Sequence, residues 1–168
     1  NKTNHLFNGV VSGIGDYGNC TGIPTVAGEC SFDSRYNKNI LVNAMTVGIA
    51  KKNKIFYAKA GKAGNIVFYV GSKTGKDGIH GATFSSEELR TESPAQAVQI
   101  GDPLTQRKLY EFIIEARDLG LFRCITDNGA GGISCSFGEM GKYSGGCECE
   151  LSEAPLKYEG MQPWEILI

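Results

Sequence analysis

One carboxylate in this chain stands directly in front of a glycine-rich turn. Residues 125–140 read ITDNGAGGISCSFGEM, and a mostly apolar run at residues 121–125 leads into Asp127. The run predicts a short buried strand and residues 133–140 predict a helix, so residues 127–132, the glycine corner, connect the two. Helix N-termini attract anions, and carboxylate oxygens bind divalent cations. The residues alone leave two interpretations open: a site for a phosphate and a cation, or a tight turn in which Asp127 caps the helix.

A second glycine-rich segment, residues 71–81 (the glycine loop), carries the cationic side chains of Lys73 and Lys76 and the titratable His80. Glycines let a ligand approach the backbone closely, and the lysines bring positive charge to the same segment. Two interpretations again remain open. The loop either meets an anion, or it is a solvated loop whose histidine only caps or packs.

The glycine loop is not a Walker phosphate loop, which needs glycine, four residues and then Gly-Lys followed by serine or threonine. Only three residues separate Gly71 from Gly75, and Asp77 stands where the magnesium-binding hydroxyl is required. A nucleotide site of the Walker type is therefore excluded here.

A helix is predicted directly after Gln99. Asp102 and Pro103 form an N-cap and first-turn pair, and Gly120 is a stop signal. Between them, helical spacing predicts one apolar face, formed by Leu109, Phe112, Ile113 and Ala116. Gln99 thus precedes a helix start, a position suited to a polar contact with a ligand.

The remaining pattern predicts an α+β fold with a mixed sheet. Residues 40–50 are rich in Val, Ile, Leu and Met without alternation, as in a strand covered on both faces, and residues 65–71 and 147–151 predict further strands. Residues 6–18 predict a short apolar segment that turns into a glycine-rich bend, and a helix begins at Pro163. The ends of such strands meet at one sheet edge, so we expect the glycine corner and the glycine loop to share it.

Composition restricts the partners of the chain. Its 168 residues carry 17 basic and 18 acidic side chains, a net charge of −1, without a basic cluster. This balance argues against nucleic acid and against a membrane surface as partners, and favours a small ligand. The apolar runs are too short to span a bilayer and the first residues lack the basic-then-apolar pattern of a signal peptide, so we expect a cytoplasmic protein.

The six cysteines do not form a disulfide pattern, and a cytoplasmic setting predicts reduced thiols. Four of them lie in apolar or glycine-rich surroundings and are predicted to be small core residues: Cys20, Cys30, Cys124 and Cys135. Cys147 and Cys149 form a Cys-x-Cys pair, but no second pair or histidine lies nearby to complete a four-ligand zinc site.

Five segments together resemble the phosphoribosylformylglycinamidine synthase family of purine biosynthesis. They occur in the family's order: GVVSGIGDYGNCTGIPTVAGE at 9–29, NILVNAMTVGIA at 39–50, GKDGIHGATFSSEEL at 75–89, AVQIGDPLTQRKL at 97–109, and ITDNGAGGISCSFGEM at 125–140. The final GMQPWEILI resembles the segment that leads into the family's Ser-Glu-Ser-Gln substrate motif. Because the last helix stops on Ile-Leu-Ile without a cap, we expect the chain to be a fragment of a larger protein.

The resemblance implies a fold shared with aminoimidazole ribonucleotide synthetase, selenophosphate synthetase and thiamine monophosphate kinase. In this α+β superfamily each subunit pairs an A domain with a B domain, and a mixed sheet packs against helices. Residues 1–50 would be the C-terminal part of the A domain, and residues 51–168 would be a B domain truncated at its end. The polar break at residues 51–54 predicts the same boundary.

The resemblance also implies an activity, the ATP- and glutamine-dependent conversion of formylglycinamide ribonucleotide to the amidine. ATP phosphorylates the amide oxygen, and ammonia from a glutaminase subunit or domain displaces phosphate from the resulting iminophosphate. Gln99 matches the family's substrate-contacting glutamine, and Asp127 matches its Mg²⁺-ligating aspartate. The loop around His80 matches one near the ligand cleft, without an assigned role.

The family's catalytic histidines and most of its ATP contacts lie outside this sequence, so the resemblance implies that the fragment alone is inactive. Its truncated ends would expose apolar surface, which makes a homo-oligomer one expectation. The alternative function is a non-catalytic scaffold or a structural nucleotide-holding repeat of the same superfamily.

Overall fold

The computed structural model describes residues 2–37, 40–76, 78–81 and 100–168. In these ranges the chain forms four α-helices and four short 3-10 helices, joined by irregular segments. The α-helices are α1 (Lys2–Thr21), α2 (Pro103–Asp118), α3 (Gly132–Ser144) and α4 (Pro163–Leu167), and the 3-10 helices are Ser34–Tyr36, Lys52–Lys54, Ala58–Ala60 and Leu151–Glu153. None of the helices in these ranges has the length and apolar character that a bilayer span requires.

Helix α1 replaces the short apolar segment and glycine bend expected at residues 6–18, so that expectation is wrong. Its half-buried apolar side chains recur every four residues, at Leu6, Val10 and Ile14. This is the spacing of one helix face, and it outweighs a cost of about 1 kcal/mol for each glycine inside the helix. Gly18 is also needed sterically, because a Cβ atom there would stand 2.9 Å from the carbonyl oxygen of Ile23.

Helix α2 confirms the prediction made from its capping residues. The Asp102 carboxylate accepts hydrogen bonds from the backbone N–H of Thr105 at 3.0 Å and from its hydroxyl at 2.6 Å, and Pro103 opens the helix. Gly120 follows the C-cap with φ +69°, a conformation that glycine adopts without strain. Phe112 departs from the predicted apolar face, since it is 52% exposed.

Helices α1 and α2 pack against each other through polar contacts. The Arg107 guanidinium donates to the carbonyl oxygen of Thr21 at 3.0 Å, and the Tyr17 hydroxyl donates to the Gln106 side chain. Gly101 lies against the Tyr17 ring, where a Cβ atom would stand 2.8 Å from a ring carbon. These contacts fix the start of α2 beside the end of α1.

The buried core of the described residues lies around α3 and α4. Ile133, Met161 and Ile166 form its centre, and partly buried residues surround them: Phe137, Leu151, Ala154, Leu156 and Leu167. Burying such side chains contributes about 1.5–3 kcal/mol each, so α3 is firmly held at its first turn. The glycine corner therefore leads into a fixed helix.

The mixed sheet is not confirmed. The predicted strands form no β-strand in the described residues: 40–50, 65–71, 121–125 and 147–151. Ile49, in the segment expected to be covered on both faces, is fully exposed, and Phe68 in the next predicted strand is 81% exposed. One isolated parallel bridge joins Thr74 to Leu156. The physical reason is that side chains favour an extended backbone locally, whereas a strand also needs a partner edge, which local sequence does not specify.

Candidate functional site

The glycine corner enters α3 without a side-chain cap. Gly131 is the N-cap residue and Gly132, with φ +57°, is the first residue of the helix. The N–H of Gly132 donates to the carbonyl oxygen of Gly129 at 2.9 Å. Because Asp127 lies four residues before the N-cap, it does not cap the helix, and the interpretation as a capped turn is wrong.

The carboxylate of Asp127 is exposed, and in the described ranges no hydrogen bond or ion pair joins it to another residue. Its two neighbours are both held to α3. The Thr126 hydroxyl donates to Glu139 Oε2 at 2.6 Å, and the Ser136 hydroxyl donates to Asn128 Oδ1 at 2.6 Å. These four side chains were not singled out from the sequence, because contacts between residues 8 and 13 positions apart leave no local pattern.

A cleft of about 400 Å³ brings together three parts of the chain. The glycine loop, the glycine corner and the end of α4 all line it: Lys73, Thr74, Gly75, Gly78, Asn128, Gly129, Ala130, Gly132, Ile166 and Ile168. The loop and the corner thus meet as expected, although not through a sheet. Asp127 does not line the cleft itself but directly precedes the lining residue Asn128.

Backbone and ionic contacts fix the glycine loop. The N–H of Thr74 donates to the carbonyl oxygen of Pro155 at 2.8 Å, and the N–H of Lys157 donates to the carbonyl oxygen of Thr74 at 2.8 Å. Lys76 Nζ lies 2.8 Å from the carboxylate of the buried Glu165 in α4. The Lys76 ammonium, with the N–H of Gln162, lowers the pKa of Glu165, so the ion pair persists at neutral pH.

The remaining polar groups of the glycine loop differ in whether they can contact a ligand in the cleft. Lys73 lines the cleft and forms no ion pair within the described part of the chain. The Thr74 hydroxyl oxygen is buried beside the cleft and has no hydrogen-bond partner among the described residues. His80 is exposed, has φ +64° and does not line the cleft. The cation that faces the cleft from this loop is therefore Lys73, whereas the Lys76 charge is neutralised by Glu165.

A second cleft of about 850 Å³ lies between α1, the glycine loop and the start of α2. Tyr17, Lys73 and Gln106 line it, and burial, followed by Tyr110 and Asp102, raises the pKa of the Tyr17 hydroxyl. Gln99 lies outside the described residues. The two residues after it, Ile100 and Gly101, line both clefts.

The cysteines differ in part from expectation. All six are free thiols, but Cys20 and Cys30 are exposed rather than in a core, whereas Cys124 and Cys135 are half-buried. The apolar and glycine-rich surroundings of the first two reflect helix α1 and an irregular segment, not a packed interior. Cys147 and Cys149 are exposed as well.

The described residues suit one coordination position of a Mg²⁺ ion rather than a complete set of protein ligands. In the described ranges no group of three His, Cys, Asp or Glu side chains converges on a point. Mg²⁺ is commonly held by one or two carboxylates, with waters and substrate phosphates as the other ligands. The exposed carboxylate of Asp127, which pairs with no other described residue, fits that role.

Two family models together match most of the chain. The model of the AIR synthase related protein, N-terminal domain, matches residues 1–50, and the model of its C-terminal domain matches residues 62–168. The chain is 48% identical to phosphoribosylformylglycinamidine synthase subunit PurL of Rhodospirillum rubrum and 49% identical to that of Pelagibacter ubique. Each comparison covers 99% of this chain but only 23% of the relative. The chain thus spans about a quarter of the length of these relatives.

Solved structures show the same relation. The fold is similar to that of phosphoribosylformylglycinamidine synthase II from Thermotoga maritima, with a TM-score of 0.67 and 28% identity over 96% of this chain and 25% of that one. It is also similar to a chain of PurLQS from Thermotoga maritima, with a TM-score of 0.66 and 29% identity over 95% of this chain and 25% of that chain. The family resemblance drawn from the motifs is confirmed.

Proposed function

Because this chain belongs to the AIR synthase-related protein family, we propose that it is a segment of a phosphoribosylformylglycinamidine synthase and forms part of its Mg²⁺ and substrate site. The similarity to PurL proteins over 99% of the chain carries this proposal. The longer protein of which it would be a segment is called the complete synthetase below. Its reaction is the ATP-dependent conversion of formylglycinamide ribonucleotide to the amidine, in the cytoplasm.

The chain's own residues would bind and orient in this reaction. ATP, when bound, supplies the phosphoryl group that activates the substrate amide. Asp127 would hold Mg²⁺, Gln99 would contact the substrate, and Lys73 would add positive charge at the cleft that the glycine corner lines. The meeting of loop and corner at one cleft supports this assignment.

We propose the same domain division as the sequence suggested, with the end of an A domain at residues 1–50 and a B domain over residues 51–168. The two ranges matched by the family models, 1–50 and 62–168, support it. We also propose a glutaminase subunit or domain as the source of ammonia. The similarity to a chain of PurLQS is consistent with a multisubunit partner.

A chimera tests the proposed function. The corresponding segment of a PurL relative is replaced by residues 1–168, and the chimera is introduced into a bacterium that lacks its own PurL gene. We expect growth without added purines, because the chain would restore the Mg²⁺ and substrate contacts. A folded, soluble chimera without synthase activity would favour the scaffold alternative.

Replacement of Gln99 by alanine tests the substrate contact. In the complete synthetase we expect the KM for formylglycinamide ribonucleotide to rise about five- to tenfold, the effect of losing a hydrogen bond to a bound ligand. The matched control is Gln96→Ala, which removes a glutamine just outside the AVQIGDP motif. Steady-state kinetics at saturating ATP measure both, and equal KM values for the two variants would contradict the assignment.

A further inference from the structure

The two residues that flank Asp127 are both tied to helix α3. Thr126 donates its hydroxyl proton to Glu139 at 2.6 Å, and Asn128 accepts the hydroxyl proton of Ser136 at 2.6 Å. Ser136 also lies 3.0 Å from the carbonyl oxygen of Ile133, but its hydroxyl has one proton and the Asn128 contact is the shorter. Both hydrogen bonds therefore hold the segment around Asp127 to helix α3.

The two α3 residues that form these hydrogen bonds lie on the same face of the helix. Ser136 and Glu139 are three residues apart, so their side chains are neighbours on the α3 surface. The helix itself is held by Ile133, whose side chain is buried in the core with Ile166. Asp127 thus lies between two residues that are hydrogen-bonded to α3. Its own carboxylate is exposed and unpaired in the described ranges.

We propose that Thr126 with Glu139, and Asn128 with Ser136, are positioning residues that orient the Asp127 carboxylate toward a divalent cation. This inference rests on the proposed function. A ligand held in its binding orientation before the metal arrives loses less conformational freedom on binding, which raises the affinity. Glu139 acts as a hydrogen-bond acceptor in this arrangement and not as a metal ligand.

Four substitutions distinguish the effect of the hydrogen bond between Thr126 and Glu139 on cation binding from the effects of the Glu139 charge and of helix stability. Thr126→Val removes the hydroxyl at nearly constant volume, and Thr126→Ser retains it. Glu139→Ala removes the acceptor and places a strong helix former at an exposed position, so the variant should fold. Glu139→Gln keeps an acceptor oxygen but removes the charge.

The experiment measures Mn²⁺ binding to the complete synthetase by the electron paramagnetic resonance signal of the free ion. Only the binding that Asp127→Asn abolishes is analysed, and the melting temperature of each variant is recorded alongside. We expect Thr126→Val and Glu139→Ala to weaken Mn²⁺ binding about three- to tenfold, and Thr126→Ser and Glu139→Gln to stay within about twofold of wild type.

Three results would overturn the inference, and they differ in what else they imply. Wild-type Mn²⁺ binding in Thr126→Val and Glu139→Ala, with binding lost in Asp127→Asn, refutes the positioning role alone. Equal losses in Glu139→Gln and Glu139→Ala refute it too, because the Glu139 charge would then matter rather than its hydrogen bond. Wild-type binding in Asp127→Asn refutes the ligand assignment of the proposed function and the positioning role with it.

Discussion

We expect the replacement of Asp127 by asparagine to lower the turnover of the complete synthetase at least about 100-fold and to raise the Mg²⁺ concentration needed for half-maximal activity. Asparagine has nearly the same volume and keeps one oxygen, but it lacks the negative charge that a hard cation prefers. Because the Asp127 carboxylate is exposed and forms no hydrogen bond or ion pair with any described residue, the substitution should leave the fold intact. Steady-state rates over a Mg²⁺ titration measure the effect.

The matched control is Asp16→Asn, which neutralises an exposed aspartate of α1 that lines neither cleft. Its turnover and Mg²⁺ requirement should equal those of the wild type. If Asp127→Asn behaves in the same way as this control, Asp127 does not bind the cation, and the proposed metal site is wrong.

Gly132→Ala should be the most destabilising small substitution in the glycine corner. Gly132 has φ +57°, and a Cβ atom there would stand 3.0 Å from the carbonyl oxygen of Leu167 and even closer to the backbone of Ile168. Left-handed backbone strain and the clash with fixed backbone together predict a loss of about 2–4 kcal/mol in the free energy of unfolding. Denaturant titration of the purified protein measures this loss.

Gly138 in the same helix provides the control for that substitution. It lies inside α3, and a Cβ atom there would meet nothing within 4 Å. Gly138→Ala should therefore raise the free energy of unfolding by about 0.5–1 kcal/mol, because alanine loses less backbone freedom in a helix. Equal stabilities of the two variants would contradict both the left-handed strain at Gly132 and the close contact of its position with the end of α4.

Local signals account for the elements that could be predicted from the sequence. Helix α2 follows from Asp102, Pro103 and Gly120, each of which acts within a few residues of the helix end that it determines. Helix α1 was missed because its glycines were given more weight than the four-residue spacing of Leu6, Val10 and Ile14. The strands were not confirmed because pairing depends on distant segments rather than on side-chain preference.

Part of the candidate site could likewise be predicted from the sequence, and part could not. Asp127 and the glycine corner stand out in the sequence because residue types and order define them, and the loop that carries Lys73 was recognised for the same reason. The hydrogen bond from Thr126 to Glu139 joins side chains 13 residues apart in the sequence, and only the folded chain shows it. Gln99 lies outside the described residues, so its role remains a prediction.

The most direct test is a crystal structure of the complete synthetase with Mn²⁺, ATP and formylglycinamide ribonucleotide, in which anomalous scattering locates the metal. The proposal predicts an anomalous peak about 2.1 Å from a carboxylate oxygen of Asp127, with substrate or nucleotide phosphate oxygens among the other ligands. Metal peaks located only at other carboxylates, with the Asp127 side chain in contact with solvent, would contradict it.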